Sequence, residues 1–381
     1  MLAFILPPKR PQSYTKTSLG CWLSIEAPEF SKYHCLDYSC VLVSQLHKLD
    51  EGLLYWVTTS PEYLIMKSRR KFILDGSACA LGLSLLGCQE KPQPVSMEYT
   101  ADLFFDISLA QWSLHKMLQA GKLKPKDFPR FAKERFGIHA VEYVNQFYTD
   151  YGLDPLYWRQ LKQRTDDLGV ANLLIMVDDE GELGSPVDHD RLAAVQQHHK
   201  WVDAAKELGC HSIRINAFGE GSKEEVASAL VDGLGRLCGY AADRDINVLI
   251  ENHGLYSSDA QWVADVIQRV GMDNCGTLPD FGNWCTSAKW GGIQDGSCEE
   301  VYDLYEGVTK MMPYAKGVSA KSYDFDEQGG QPLIDYARMM NIVKNAGYTG
   351  YIGIEYEGSR LGEEEGIMAT KELLLQIGNP S

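Results

Sequence analysis

The chain has little that would suit it to a polyanionic partner. It carries 36 lysines and arginines against 52 acidic residues, a formal net charge of −16, and no basic stripe crosses its globular part. Nucleic-acid binding calls for clustered Lys and Arg, so that class is excluded. The ten cysteines include no CxxC pair and no zinc-ribbon spacing. Five of them (Cys210, Cys238, Cys275, Cys285 and Cys298) fall in the globular part, and an odd number there predicts buried thiols rather than a disulfide framework. The mostly apolar run that ends at Cys88 is shorter than the roughly 18 residues that span a bilayer, so it is not read as a membrane helix. Residues 1–65 lack a coherent helical or strand period. What remains is ordinary for a globular protein: 45% hydrophobic and 23% charged residues over 381 positions. That length accommodates one barrel of about 250 residues with an N-terminal surplus.

The surplus has its own pattern. Met66-Lys67-Ser68-Arg69-Arg70-Lys71-Phe72-Ile73 precedes an apolar stretch closing on Leu85-Leu86-Gly87-Cys88. Paired arginines, a phenylalanine two places on and a short apolar segment resemble a twin-arginine export signal. The ending resembles a bacterial lipobox, which implies lipidation of Cys88. The expectation is an exported protein of the cell envelope or periplasm, touching the membrane only through that lipid. An export signal works at an N-terminus, so Met66 is read as the start and 1–65 as an upstream, disordered extension. Residues 66–88 are then the signal and 89–98 a tether.

From residue 99 to 381, strand-like and helix-like segments alternate. Strands are expected over 103–108, 140–144, 172–177, 212–216, 246–251, 275–278, 315–320 and 351–356. Helices are expected over 126–136, 155–168, 189–208, 223–243, 259–270, 300–312, 333–346 and 363–377. Eight βα units in about 280 residues predict a single-domain α/β fold, a (β/α)₈ TIM barrel. In that fold the strand ends converge on one mouth, where Glu251, Asp280 and Glu355 would meet. Three carboxylates do not stay ionised together without a compensating cation. Oxygen ligands suit Mg²⁺ or Mn²⁺, and an added imidazole favours Mn²⁺, Co²⁺ or Zn²⁺.

Ile250-Glu251-Asn252-His253, Pro279-Asp280-Phe281-Gly282-Asn283-Trp284 and Gly353-Ile354-Glu355-Tyr356-Glu357-Gly358 resemble, in this order, the xylose isomerase-like barrel superfamily. That superfamily holds sugar isomerases, ketose 3-epimerases, inosose dehydratases and an apurinic-site endonuclease branch, and the similarity runs over roughly 99–378. The resemblance implies a divalent metal on Glu251, Asp280 and Glu355, with Glu251 and Glu355 doubling as the acid/base pair. It also implies that homo-oligomers are common. Two positions depart from the family pattern. The family usually reads His-x-Lys after strand seven, where this chain has Ser319-Ala320-Lys321. Water or His253 would then complete the metal shell, or metal binding is weakened. Lys321 would hold a substrate oxygen or stabilise an enolate. Many members place a histidine where Asn283 stands, and Asn283 would bond a sugar hydroxyl.

Other candidates come from strand alternation. Arg214 and Asn216 share a face and would bind substrate hydroxyls, unless Arg214 pairs structurally with Glu142. Trp112, His115 and Trp284 would form a stacking wall for a sugar ring, or simply pack. Asp178 and Asp179 read as loop carboxylates, His198 and His199 as solvent-facing, and Glu357 as a supporting residue. The function expected is a metal-dependent isomerase or epimerase, acting on a carbohydrate or cyclic polyol by proton abstraction next to a carbonyl. A lyase or hydrolase on keto-sugars at the same site is the competing enzyme reading. A non-catalytic, lipid-anchored sugar-binding barrel is the non-enzyme one.

Overall fold

A computed structural model describes residues 103–378 apart from 295 and 297, together with the strand pair His47–Lys48 and Leu54–Tyr55. The expected export signal, Cys88 and the expected tether lie outside the described residues. The barrel belongs to the second of two units, Met1–Lys91 and Pro92–Ser381.

The eight barrel strands are β1 (Asp106–Ala110), β2 (Ala140–Val144), β3 (Ala171–Met176), β4 (Ser212–Ile215), β5 (Asn247–Glu251), β6 (Cys275–Leu278), β7 (Val318–Ser322) and β8 (Tyr351–Tyr356). All pair in parallel, in the spatial order β6-β5-β4-β3-β2-β1-β8-β7. Between β6 and β7 no continuous ladder forms. Isolated parallel bridges join Thr277 to Ala315 and Asp280 to Ser319 there, and Lys316 N donates to Thr277 O at 3.0 Å. The sheet therefore curls into the expected barrel, closed along a seam that runs into the functional mouth.

The helices after the strands are α1 (Phe128–Phe136), α2 (Pro155–Leu168), α3 (Asp188–Leu208), α4 (Lys223–Ala242), α5 (Ala260–Val270), α6 (Leu304–Met311), α7 (Tyr336–Asn345) and α8 (Glu363–Gly378). Their starts follow local chemistry. Ser222 and Glu225 form a reciprocal capping box at α4, as the serine's position predicts. Asp154, Asp259, Asp303 and Asp335 accept from first-turn backbone amides of α2, α5, α6 and α7. The last two caps explain why α6 and α7 begin later than expected, at Leu304 and Tyr336 rather than near 300 and 333. β1 and β7 also lie two to three residues beyond their expected spans. The turn Met312–Tyr314 occupies the approach to β7, and Leu109 and Ala110 are buried within β1.

Inside the barrel, Ala110, Val144, Leu174, Met176, Leu249 and Leu278 form one apolar cluster, as expected for a barrel filled by inward layers. Two residues beyond Leu249 and Leu278 stand Glu251 and Asp280, and Arg214, Ser319 and Glu355 meet them from β4, β7 and β8. Gly353 belongs to this packing, since a Cβ there would lie 2.6 Å from Glu142 Oε1. One cysteine expectation fails: Cys285 and Cys298 are disulfide-bonded, while Cys210, Cys238 and Cys275 are buried thiols. An odd count is compatible with a pair plus three thiols, and only the path of the loop after β6 brings the pair together.

Candidate active site

Asn252 locks the end of β5 to the loop after β6. Its Nδ2 donates to Asp280 O (3.0 Å) and Asn283 O (3.1 Å), and its Oδ1 accepts from Asp280 N (2.7 Å). The side chain that alternation turns away from the mouth thus positions the two that face it. Asp280 Oδ1 accepts from the amides of Gly282 and Asn283, each at 2.8 Å. Glu251, Asp280 and Glu355 are all buried, and each offers an oxygen within 4.8 Å of the others'.

Ser319 sits among them on the seam. Its Oγ lies 2.5 Å from Asp280 Oδ2 and 3.0 Å from Glu355 Oε2. A hydroxyl has one proton, so it serves one carboxylate at a time; the other contact needs a carboxyl proton or a cation. Burial, opposed by Lys321, pushes the Asp280 carboxyl up to about 7. Burial likewise raises Glu251 well above the carboxylate range, against the pull of Arg214, and pushes Glu142 up to about 7.

Two cations stand beside these acids. Lys321 Nζ lies 3.5 Å from Glu355 Oε2 and 3.3 Å from Glu357 Oε1. Although burial works against its charge, those carboxylates hold it well above the usual ammonium range. Arg214 Nη1 donates to Asp178 Oδ1 at 2.6 Å. Its Nε approaches Glu251 Oε2 to 2.7 Å as an ion pair, although the angle makes no hydrogen bond and neither buried atom has another hydrogen-bond partner. Arg214 is therefore paired with Asp178 and Glu251, and the alternative pair with Glu142 does not form. Asp178, read from sequence as a loop carboxylate, is buried; burial would raise its pKa, yet Arg214 leaves it lowered. Its position at the end of β3 was the available signal.

Asn216 Nδ2 donates to Asp178 Oδ1 (2.7 Å), so its Oδ1 is an acceptor, and His253 Nδ1 lies 2.7 Å from it. His253 must then carry its proton on Nδ1. Burial and the nearby Arg214 hold its pKa well below the ordinary value, which leaves a neutral imidazole.

Above these groups opens a cavity of about 460 Å³, lined among others by Trp112, His115, Asp178, Arg214, His253 and Glu355. Trp112 and His115 stack with centroids 4.7 Å apart and planes 14° from parallel. Glu357, expected only as a supporting residue, also lines the cavity, as does Trp290, which no sequence signal singled out. Glu251, Asp280 and Lys321 do not line this cavity, and three of the residues expected to bind substrate lie elsewhere. Trp284 is fully buried against Tyr302 and Gly307, so it packs rather than stacks on a ligand. Asn283 lies behind the acids, its Nδ2 donating to Glu251 Oε1 at 3.1 Å. Asn216 lines a neighbouring cavity. His198, expected in solvent, is 2% exposed and donates from Nδ1 to Ala194 O at 2.8 Å.

The chain resembles known proteins at several levels. A 266-residue alignment, 38% identical and covering 52% of this chain and 72% of the relative, joins it to the 3'-dehydrocarminate deglycosidase alpha subunit of a Microbacterium species. A Mus musculus protein provisionally named hydroxypyruvate isomerase is 25% identical over 194 residues, 47% of this chain. The alignment spans 65% of the mouse protein's length. In fold it matches D-psicose 3-epimerase of Clostridium cellulolyticum H10, with a TM-score of 0.56 at 12% identity, covering 72% of this chain and all of that one. The family model for the xylose isomerase-like TIM barrel matches residues 130–377, and the chain belongs to that family.

Proposed function

We propose that the mouth of this barrel binds a divalent cation and a carbohydrate or cyclic polyol, and removes a proton next to the substrate's carbonyl to isomerise or epimerise it. The observation that carries this reading is the buried triad of Glu251, Asp280 and Glu355, whose member Glu355 lines a cavity of sugar-binding size. A cation fits the residues present. Glu251 Oε2 is buried with no hydrogen bond, only the ion pair to Arg214, Ser319 has too few protons for the two acids it touches, and Asp280, pushed up to about 7 by burial, would ionise more fully beside added positive charge. Glu251, Asp280 and Glu355 would hold the ion, whose chemistry is to polarise a carbonyl. Ser319 is a weak donor for it, and oxygen ligands favour Mg²⁺ or Mn²⁺.

The chain's own groups supply the rest. Glu251 and Glu355 approach the substrate from two strands as base and acid. Lys321, charged and buried, stabilises oxygen that becomes negative as the C–H proton leaves. The Trp112–His115 stack gives the ring an apolar wall. The test is solvent-deuterium uptake into keto-sugars by the full chain, alongside its metal content. Uptake lost in Glu355→Gln, with metal lost in Glu251→Gln and Glu355→Gln, is the expected result. No uptake and no metal after incubation with excess Mn²⁺ would sink the reading.

A second reading, elimination from a keto-glycoside by the same groups, is favoured by the 38% identity to a deglycosidase subunit. Product mass separates the two, because epimers conserve mass whereas elimination releases water or an aglycone. We further propose export by the twin-arginine route and anchoring through Cys88. The Cys285–Cys298 bond supports an oxidising compartment. A lipid-modified Cys88 peptide in mass spectra of membrane fractions is the expected finding; a native peptide from before Met66 would overturn the assignment of the signal.

A further inference from the structure

Beside the cavity over the triad lies a second one of about 250 Å³, a little over half its size. Trp290 lines both. A hydrogen bond links their linings: Gln146, facing the first cavity, donates to Asp179 Oδ2 at 3.0 Å, and Asp179 faces the second.

Trp290 is held where it is by the surrounding chain. Its φ is +73°, a left-handed conformation that is strained for a bulky side chain and recurs at ligand clamps. The loop that carries it is closed by the Cys285–Cys298 bond and by a bridge from Lys289 to Gly254. Gly254 is required for that approach, since a Cβ there would lie 2.4 Å from Ala288 O and 2.7 Å from Trp290 N. The Trp290 indole meets Phe218 edge-on at 5.7 Å and His253 at 5.0 Å.

The second cavity has the makings of a neutral, polar-ring site. Phe218 and Trp290 give it an apolar wall. His198 lines it, buried, with Nδ1 donating back to its own helix. Nε2 is therefore an unprotonated acceptor, and no partner for it occurs among the described residues. Burial lowers the His198 pKa to about 4, so the ring stays neutral. Asp179, Glu180 and Glu182 add carboxylate oxygens; Glu180 is paired with Lys200 at 2.8 Å, which leaves Asp179 and Glu182 against the Lys289 ammonium. That balance disfavours a phosphate or a carboxylate and welcomes hydroxyl donors.

The geometry points to a second subsite: we propose that this cavity takes the adjoining sugar unit of a neutral glycoside whose keto-sugar ring occupies the larger cavity. The inference rests on the proposed function for the position of the first ring, and it names the substrate class as a glycoside rather than a free monosaccharide. Aromatic walls with a few convergent polar groups are what such sites use for orientation.

The experiment is calorimetric titration of the full chain with D-fructose and with three ketose disaccharides, lactulose, turanose and isomaltulose. At least one disaccharide is expected to bind about tenfold tighter than fructose, the gain from one well-packed ring. That preference should fall below about threefold in Phe218→Leu and in Asp179→Asn, at two residues that line the second cavity and not the first, with fructose affinity as the control for the first. Equal affinity for fructose and all three disaccharides, no binding of any of them, or an unchanged preference in both folded variants would each overturn the subsite. Deuterium uptake judges the chemistry separately: a disaccharide preference that the variants erase, without any uptake, would uphold the subsite and defeat the proton-abstraction reading.

Discussion

One side of the barrel mouth is ionic and the other is apolar. Strands β5 to β8 end in Glu251, Asp280, Lys321 and Glu355, all buried. The chain beyond β1 and β2 instead presents Trp112, His115 and Gln146. The ionic side is costly to build, because burial pushes Asp280 up to about 7 and Glu251 well above its ordinary range. Such groups persist in a fold when their mismatch is used, and shifted carboxylates beside a buried lysine are suited to moving protons. The other side presents the Trp112–His115 stack to the cavity, a surface suited to orienting a ring. Under the proposed function, chemistry and positioning would divide between the two halves, and the β6–β7 seam, where Ser319 meets Asp280, lies in the ionic half.

The largest effect should come from the ionic half. Glu355→Gln keeps the shape but removes a base, and deuterium uptake should fall by about 10²- to 10⁴-fold with KM little changed. An uptake loss as large in Trp112→Ala would erase the division of labour.

Titration should also separate regions, with opposite signs. Glu142, beside the ionic side, has a folded pKa of about 7 against an ordinary 4.5. Its contribution to stability is full below about pH 4.5 and is lost as pH rises through 7. His198, by the second cavity, has a folded pKa of about 4 against 6.5. Its contribution is full above about pH 6.5 and is lost as pH falls through 4. Each shift corresponds to up to ~3 kcal/mol. Denaturant midpoints from pH 4 to 8 should therefore flatten on the alkaline side in Glu142→Gln and on the acid side in His198→Gln.

Metal should stabilise only through the ionic half. At about 100 times the dissociation constant, Mn²⁺ adds ~2.7 kcal/mol, a rise of several degrees in Tm that EDTA reverses. Asp280→Asn should abolish most of that rise, and Trp112→Ala should leave it intact.

The smallest effect belongs to the apolar half. Loss of the Trp112 face should cost ~1 kcal/mol of sugar binding, seen as a KM raised about fivefold at nearly constant kcat. A dominant effect on kcat instead would place Trp112 with the chemical groups.

Much of this was legible in the chain because barrel strands repeat a local code. An apolar run ending in an acid locates β5 and β8, and β2, β6, β8 and α2 match their expected boundaries to the residue. Period-two alternation then assigns Glu251, Asp280 and Glu355 to one mouth without any knowledge of loops. The polar pairings were not legible in the same way. Alternation puts Arg214 on the inward face, but only the twist of the barrel decides that it meets Asp178 and Glu251 rather than Glu142. Trp284 carried the same apparent signal as Trp112, a tryptophan just past a strand, yet it turns into the space left by Gly307.

By itself, then, the sequence determined the eight βα units, the Ser222 cap of α4 and the three acids at strand ends. Each of these depends on neighbours a few residues away. The tertiary structure alone decided the Cys285–Cys298 pair, the buried states of His198 and Asp178, and the position of Trp290 between two cavities. Those depend on loops that meet across the mouth, where spacing along the chain carries no information about distance in space.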